Sequence, residues 1–245
     1  MNYLVKIAGA AALAAAFAAT AVSAQTIRMG TEGAYPPYNF INDQGEVDGY
    51  ERELGDEICK RAGLECTWVT NEWDSIIPNL VSGNYDTIIA GMSITDERDQ
   101  VIDFTQEYFP PDPSAYVALT GASVDIKSGV ISAQTATIQA AYVAESGATV
   151  VEFATPEETV AAVRSGEADA VLADFAYLKP LVDASNGELE IIDQSVMIGG
   201  GVGMGVRESD NELRDKMDAA IASMKADGTI SKLIAKWFDG RVVNY

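Results

Sequence analysis

One local pattern occurs twice in this chain. Leu80-Val81-Ser82-Gly83-Asn84-Tyr85-Asp86-Thr87-Ile88-Ile89-Ala90 is echoed by Val163-Arg164-Ser165-Gly166-Glu167-Ala168-Asp169-Ala170-Val171-Leu172-Ala173. Each reads as a helix end, Ser-Gly, two residues, an Asp, and an apolar run closing on Ala. Glycine stops a helix because it enters the left-handed conformation at little cost. A short apolar run bounded by such breakers reads as a buried strand. Helix-Gly-strand is common in α/β proteins, so the echo gains weight from what surrounds it. It implies one βαβ unit built twice, and hence two similar lobes.

The rest of the chain fits that plan. Ile27–Gly30, Thr67–Val69, Val101–Thr105, Ala115–Thr120, Val130–Ala133 and Thr149–Phe153 read as strands. Tyr50–Ala62 is helical, with Tyr50, Leu54, Ile58 and Ala62 on one face. Asp74 is a candidate N-cap for a helix over Ser75–Val81, where Pro78 fits only in the first turn. Thr155-Pro156-Glu157-Glu158 has the form of a capping box with Pro at N1. Helices are also expected over Ala136–Glu145 and Asp210–Ala226, and a last one capped by Thr229. The Pro-rich stretch Phe109–Pro113 reads as a crossover between lobes, and Gly199, Gly200, Gly201, Gly203 and Gly205 as the return. The expected division is 1–24 signal peptide, 25–110 first part of lobe 1, 111–199 lobe 2, and 200–245 return crossing and second part of lobe 1.

Composition narrows the function. Met1–Lys6, the Ala-rich run Ile7–Val22 and the small-x-small end Val22-Ser23-Ala24 form a secretory signal peptide. A membrane-spanning helix is the weaker rival, because Ala is only mildly hydrophobic. The formal net charge is −21, which repels phosphate backbones and anionic lipid. No histidine is present, so His-based triads and His metal sites are excluded. The two cysteines, Cys59 and Cys66, cannot complete a Cys-only zinc site. In an exported chain they read as one disulfide. Its short ring stabilises by about 2.5 kcal/mol on the loop-entropy estimate.

A two-lobed α/β protein binds ligands outside the carboxyl ends of its strands. Three such ends have polar sequels: Met29-Gly30-Thr31-Glu32, Ala90-Gly91-Met92-Ser93 with Arg98 beyond, and Leu172-Ala173-Asp174. The segment Gln134–Gln139 enters a helix, whose free N–H groups suit an anion. A zwitterion needs a cation for its carboxylate and an anion for its ammonium. Arg98 and Asp174 offer those charges, and a guanidinium matches both carboxylate oxygens.

Several stretches in this order resemble a known family. They are Gly30–Tyr38, Asp48-Gly49-Tyr50-Glu51, Trp73–Pro78, Ala90–Arg98, Asp103-Phe104-Thr105, Gln139–Tyr142 and Asp227-Gly228-Thr229. The family is that of the exported solute-binding proteins of amino-acid ABC transporters, with the two-lobed type II periplasmic binding fold. Each lobe of that fold is a mixed sheet flanked by helices. The Cys59/Cys66 context is similar to the lysine/arginine/ornithine-, histidine- and opine-binding branch.

The resemblance implies a set of roles. Arg98 clamps the ligand carboxylate, with donors from Ser93 and the backbone of Ala90 and Gly91. Thr137 holds the same carboxylate from the second lobe. Asp174 accepts from the ammonium, Tyr35 and Trp73 flank the side chain, and Glu32 meets a distal cation. It further implies a monomeric periplasmic protein without cofactor or metal, which is not an enzyme and does not bind nucleic acid. Its partners would be an amino acid and an ABC permease in the inner membrane. A cationic amino acid or derived opine is the expected ligand, with polar neutral amino acids as the alternative. A cyclohexadienyl (prephenate or arogenate) dehydratase-like enzyme is the alternative of another class, with Glu32 or Asp174 as proton donor.

Overall fold

A computed structural model describes residues 26–245. The expected signal peptide, 1–24, lies outside the described residues. Strand β1 (Thr26–Thr31) is followed by a small three-stranded sheet of β2 (Ala34–Tyr35), β3 (Asn39–Ile41) and β4 (Val47–Asp48). Next come α1 (Tyr50–Ala62), β5 (Glu65–Thr70), α2 (Ile76–Val81), β6 (Thr87–Ile88) and β7 (Asp103–Phe104). The middle of the chain forms β8 (Ser114–Leu119), β9 (Val130–Gln134), α3 (Ile138–Ser146), β10 (Thr149–Phe153), α4 (Pro156–Ser165), β11 (Ala170–Asp174), α5 (Phe175–Ala184) and β12 (Leu189–Val196). The chain closes with β13 (Gly205–Val206), α6 (Asn211–Ala226) and α7 (Thr229–Trp237).

Two five-stranded sheets result, in the orders β5-β1-β6-β13-β7 and β10-β9-β11-β8-β12. They share one plan. Three parallel strands lead, and an antiparallel strand then pairs with the central one. The echoed strands β6 and β11 are both central.

The echoed aspartates explain part of the pattern. Asp86 accepts from the backbone N–H of Arg28 at 2.9 Å, while its own N–H donates to the Arg28 carbonyl at 2.8 Å. Asp169 does the same with Val130, at 2.8 and 2.7 Å. Each aspartate fastens the central strand to its parallel neighbour, β1 for Asp86 and β9 for Asp169.

Helix α1 occupies the expected span, and Tyr50, Leu54 and Ile58 are fully buried. Each such side chain contributes about 1.5–3 kcal/mol of transfer free energy. The helix ends at Gly63 in the left-handed conformation and is stapled to β5 by the Cys59–Cys66 disulfide, Cα–Cα 6.2 Å. The capping box of α4 is present in both directions, with Thr155 Oγ1 accepting from Glu158 N–H and Glu158 accepting from Thr155 N–H.

Three local expectations change. Asp74 does not cap α2: Trp73–Ser75 form a 3₁₀ turn, and the helix starts after Ser75 without a side-chain cap. Thr229 is the first residue of α7, and its N–H and hydroxyl both donate to Asp227 after the left-handed Gly228. The apolar run Tyr85–Ala90 forms ladder pairs only at Thr87 and Ile88, with β1 on one side and β13 on the other.

The crossover and the return lie side by side. Val202 bridges both Phe109 and Ser93. Gly201 permits that approach, since a Cβ there would lie 2.8 Å from the Phe109 carbonyl oxygen.

The disulfide gives a direct test. Substituting Ser for both Cys59 and Cys66 is expected to lower unfolding free energy by about 2–3 kcal/mol, read from urea denaturation. Ligand affinity should stay within about threefold, because neither cysteine lines the cavity between the sheets.

Candidate functional site

A cavity between the sheets is lined by Glu32, Tyr35, Trp73, Ala90, Gly91, Ser93, Arg98, Gln134, Thr137, Ile138, Gln139 and Asp174. The nine residues singled out from sequence are all among them.

Strand ends place the charges. After β6 the chain turns through Gly91, whose φ of +62° favours glycine, and reaches Arg98 at the head of a 3₁₀ turn. Asp174 is the last residue of β11 and the N-cap of α5.

Arg98 Nη1 donates to the Ser93 carbonyl at 2.8 Å, and its guanidinium lies 5.4 Å from the Trp73 ring centroid. Every other arginine among the described residues makes an ion pair. Arg98 makes none. Burial lowers its pKa to about 10, partly offset by the charge of Asp174. A partly desolvated cation without a carboxylate has unmet affinity for an anion.

The acids are equally exposed to burial costs. Asp174 is pushed up to about 6, chiefly by desolvation, although Tyr35 Oη and Gln139 Nε2 donate to it at 2.8 and 3.0 Å. Glu32 is pushed up to about 7 by desolvation, with Gln134 Nε2 donating at 2.6 Å and opposing the rise. Both acids therefore gain from a cation brought into the cavity.

Hydrogen bonds cross between the segments bearing the two sheets. At the cavity they include Tyr35 Oη to Asp174 Oδ2, Asp174 N–H back to Tyr35 Oη at 3.2 Å, Gln134 Nε2 to Glu32, and Trp73 Nε1 to the Ala136 carbonyl at 3.3 Å. Tyr35 stacks on Tyr177, with centroids 4.4 Å apart and planes 12° from parallel. One face of Tyr35 is thus covered, and Trp73 lies beneath the guanidinium, so each aromatic is fixed by a neighbour as well as lining the cavity.

Two expected donors are already engaged. The Gly91 N–H donates to Glu51 Oε1 at 2.6 Å, and Glu51 also accepts from Asn39 Nδ2 and Tyr108 Oη. The Thr137 hydroxyl caps α3, accepting from Ala140 N–H at 3.1 Å and donating to the Gln134 carbonyl at 2.6 Å. What these segments add to an anion site is then the positive end of α3 beside Ile138.

Sequence reasoning assigned no role to Gln134, Ile138, Gln139, Glu51 or Tyr177. The Gln134–Gln139 segment stood out only as a helix entrance, and nothing in its spacing told which glutamine would turn inward. Among the described residues no group of three or more His, Cys, Asp or Glu could hold a metal ion, and no helix is long and apolar enough to cross a membrane.

Stability should depend on pH through these acids. A carboxyl whose pKa is raised on folding binds its proton more tightly in the folded state. Its contribution is full below the unfolded value and is lost as pH rises through the folded one. For Glu32 the loss runs from 4.5 to about 7. Unliganded Glu32→Gln is therefore expected to lose less melting temperature than wild type between those pH values, measured by differential scanning calorimetry.

Known proteins share this fold. Residues 27–240 match the family model "Bacterial extracellular solute-binding proteins, family 3". The histidine-binding periplasmic protein of Escherichia coli K12 is 35% identical, with 93% of each chain covered. The L-arginine-binding protein of Pseudomonas aeruginosa is 32% identical, with 94% of each covered. A crystal structure of a periplasmic His/Glu/Gln/Arg/opine family-binding protein from Silicibacter pomeroyi, in complex with lysine, is 71% identical. It superposes with a TM-score of 0.87 over 89% of this chain and 100% of that one. These relatives are two-lobed binding proteins, and the chain described here belongs to the bacterial extracellular solute-binding proteins, family 3.

Proposed function

We propose that this protein captures a cationic amino acid, or an opine derived from one, in the periplasm and delivers it to an ABC permease in the inner membrane. The observation that carries the reading is Arg98, a half-buried guanidinium with no carboxylate partner among the described residues, in one cavity with the acids Asp174 and Glu32. Arg98 takes the ligand carboxylate, with Ser93 and the start of α3 at Thr137 beside it. Ala90 and Gly91 form the small-residue floor. Asp174 accepts from the ammonium, Tyr35 and Trp73 flank the side chain, and Glu32 meets the distal cation. Relatives named for histidine, arginine and lysine/arginine/ornithine support the class, as does the lysine held by the Silicibacter pomeroyi protein.

Lobe 1 comprises 25–110 and 200–245, and lobe 2 comprises 111–199. The protein acts as a monomer. A charge-assisted hydrogen bond contributes about 1.5–3 kcal/mol net, whereas micromolar affinity requires about 8 kcal/mol. No single contact suffices. Only the closed arrangement joins Arg98 and Glu32 of one lobe to Asp174 and α3 of the other, so the ligand favours closure.

Arg98→Ala is expected to weaken amino-acid binding by at least about 10–100-fold, measured by isothermal titration calorimetry. Unchanged affinity would remove the carboxylate clamp from the mechanism. In a thermal-shift screen of amino acids, opines and polyamines, lysine, arginine or ornithine should stabilise most. At 100 times its dissociation constant the ligand adds about 2.7 kcal/mol. A response confined to neutral or acidic amino acids refutes the cationic assignment.

A further inference from the structure

We infer that Gln134 is a second specificity-determining residue, whose side-chain carbonyl oxygen accepts, together with Glu32, from the distal cationic group of the ligand. The inference rests on the proposed function and extends it to the part of the cavity that decides between side chains.

Gln134 is the last residue of β9, lines the cavity, and is only 7% exposed. A primary amide has two N–H donors and one carbonyl acceptor. Both donors are engaged: Nε2 donates to the Ala154 carbonyl at 3.0 Å and to Glu32 Oε1 at 2.6 Å. The Ala154 carbonyl can only accept, so the chemistry itself fixes which amide atom is nitrogen. Oε1 is then the atom left over, and it makes no hydrogen bond to the described residues. The second carboxylate oxygen of Glu32 makes none either.

Two acceptor oxygens without donors therefore come from opposite lobes, tied together by one N–H···O bond. The complementary group carries several N–H donors and a positive charge. An ammonium has three donors and a guanidinium five, and neither has an acceptor. A neutral side-chain amide would bring its own acceptor oxygen against two others. A carboxylate would place like charge beside Glu32.

Position adds a second consequence. Glu32 follows β1 in one sheet, and Gln134 ends β9 in the other. A distal cation meets both only when the lobes are together. A cationic side chain thus stabilises the closed state in a way that an apolar side chain of equal length does not.

The test uses the mature protein and calorimetric titration with lysine, arginine and norleucine, which keeps the lysine chain without its ammonium. Gln134→Met preserves length and removes the acceptor. Lysine and arginine are expected to weaken about 10-fold or more, while norleucine changes by less than about threefold. Equal losses for all three ligands would show a packing role and overturn the inference, as would no loss at all. Should Gln134→Met fail to fold, Gln134→Glu retains an acceptor at the same place. It should keep or raise the lysine-to-norleucine ratio, and a collapsed ratio overturns the inference. Wild-type protein that binds neither cation overturns this inference and the proposed function together. Wild-type binding with an unaltered ratio in the variants overturns this inference alone.

Discussion

The fold hangs on two buried strands, β6 and β11, each fastened to its neighbour by an aspartate. Asp86 and Asp169 accept from a backbone N–H of the parallel neighbouring strand, β1 and β9 respectively, and their own N–H groups return the bond. Register in a parallel pair is thereby set at the strand entrance. Everything downstream inherits it, because the strand exits are where the functional charges sit. Arg98 lies beyond the exit of β6, and Asp174 is the exit of β11. Similar units have therefore delivered opposite charges to one cavity.

Those charges are held at a cost that shapes the site. Arg98 has its pKa lowered by burial, and Glu32 and Asp174 have theirs raised. Desolvation is the leading cause in all three. A site whose charges compensated one another internally would have little to offer a zwitterion. Here the acids are held by neutral donors, Gln134, Gln139 and Tyr35, and the arginine by a backbone carbonyl and an indole face. Neutral partners hold each charged group in place and leave its charge for the ligand.

The engaged donors refine this picture. Glu51, fully buried, takes the Gly91 N–H and the Tyr108 hydroxyl. It links the loop after β6 to the residues just before the Pro-rich crossover. The Thr137 hydroxyl serves its own helix. In the proposed site, anion binding on the second lobe then falls to oriented backbone at α3, with the Thr137 side chain capping that helix.

The sequence by itself determined the elements and the type of chemistry. The helix face of Tyr50, Leu54 and Ile58, the capping box at Thr155, the repeated Ser-Gly-x-x-Asp unit and the pairing of a lone arginine with an acid at a second strand end are local or periodic signals. Such signals survive in one dimension because they arise from 3.6-residue or two-residue spacing and from backbone caps. Tertiary structure alone decided which neutral side chains turn inward. Gln134 and Gln139 look alike in the sequence, and Glu51 looks like any acid in a helix's first turn. Their roles depend on groups far along the chain: Glu32 for Gln134, Asp174 for Gln139, and Gly91 with Tyr108 for Glu51. Such hydrogen bonds are set by how distant segments pack, within a lobe for Glu51 and Gln139 and between lobes for Gln134, and no spacing within one segment encodes that packing.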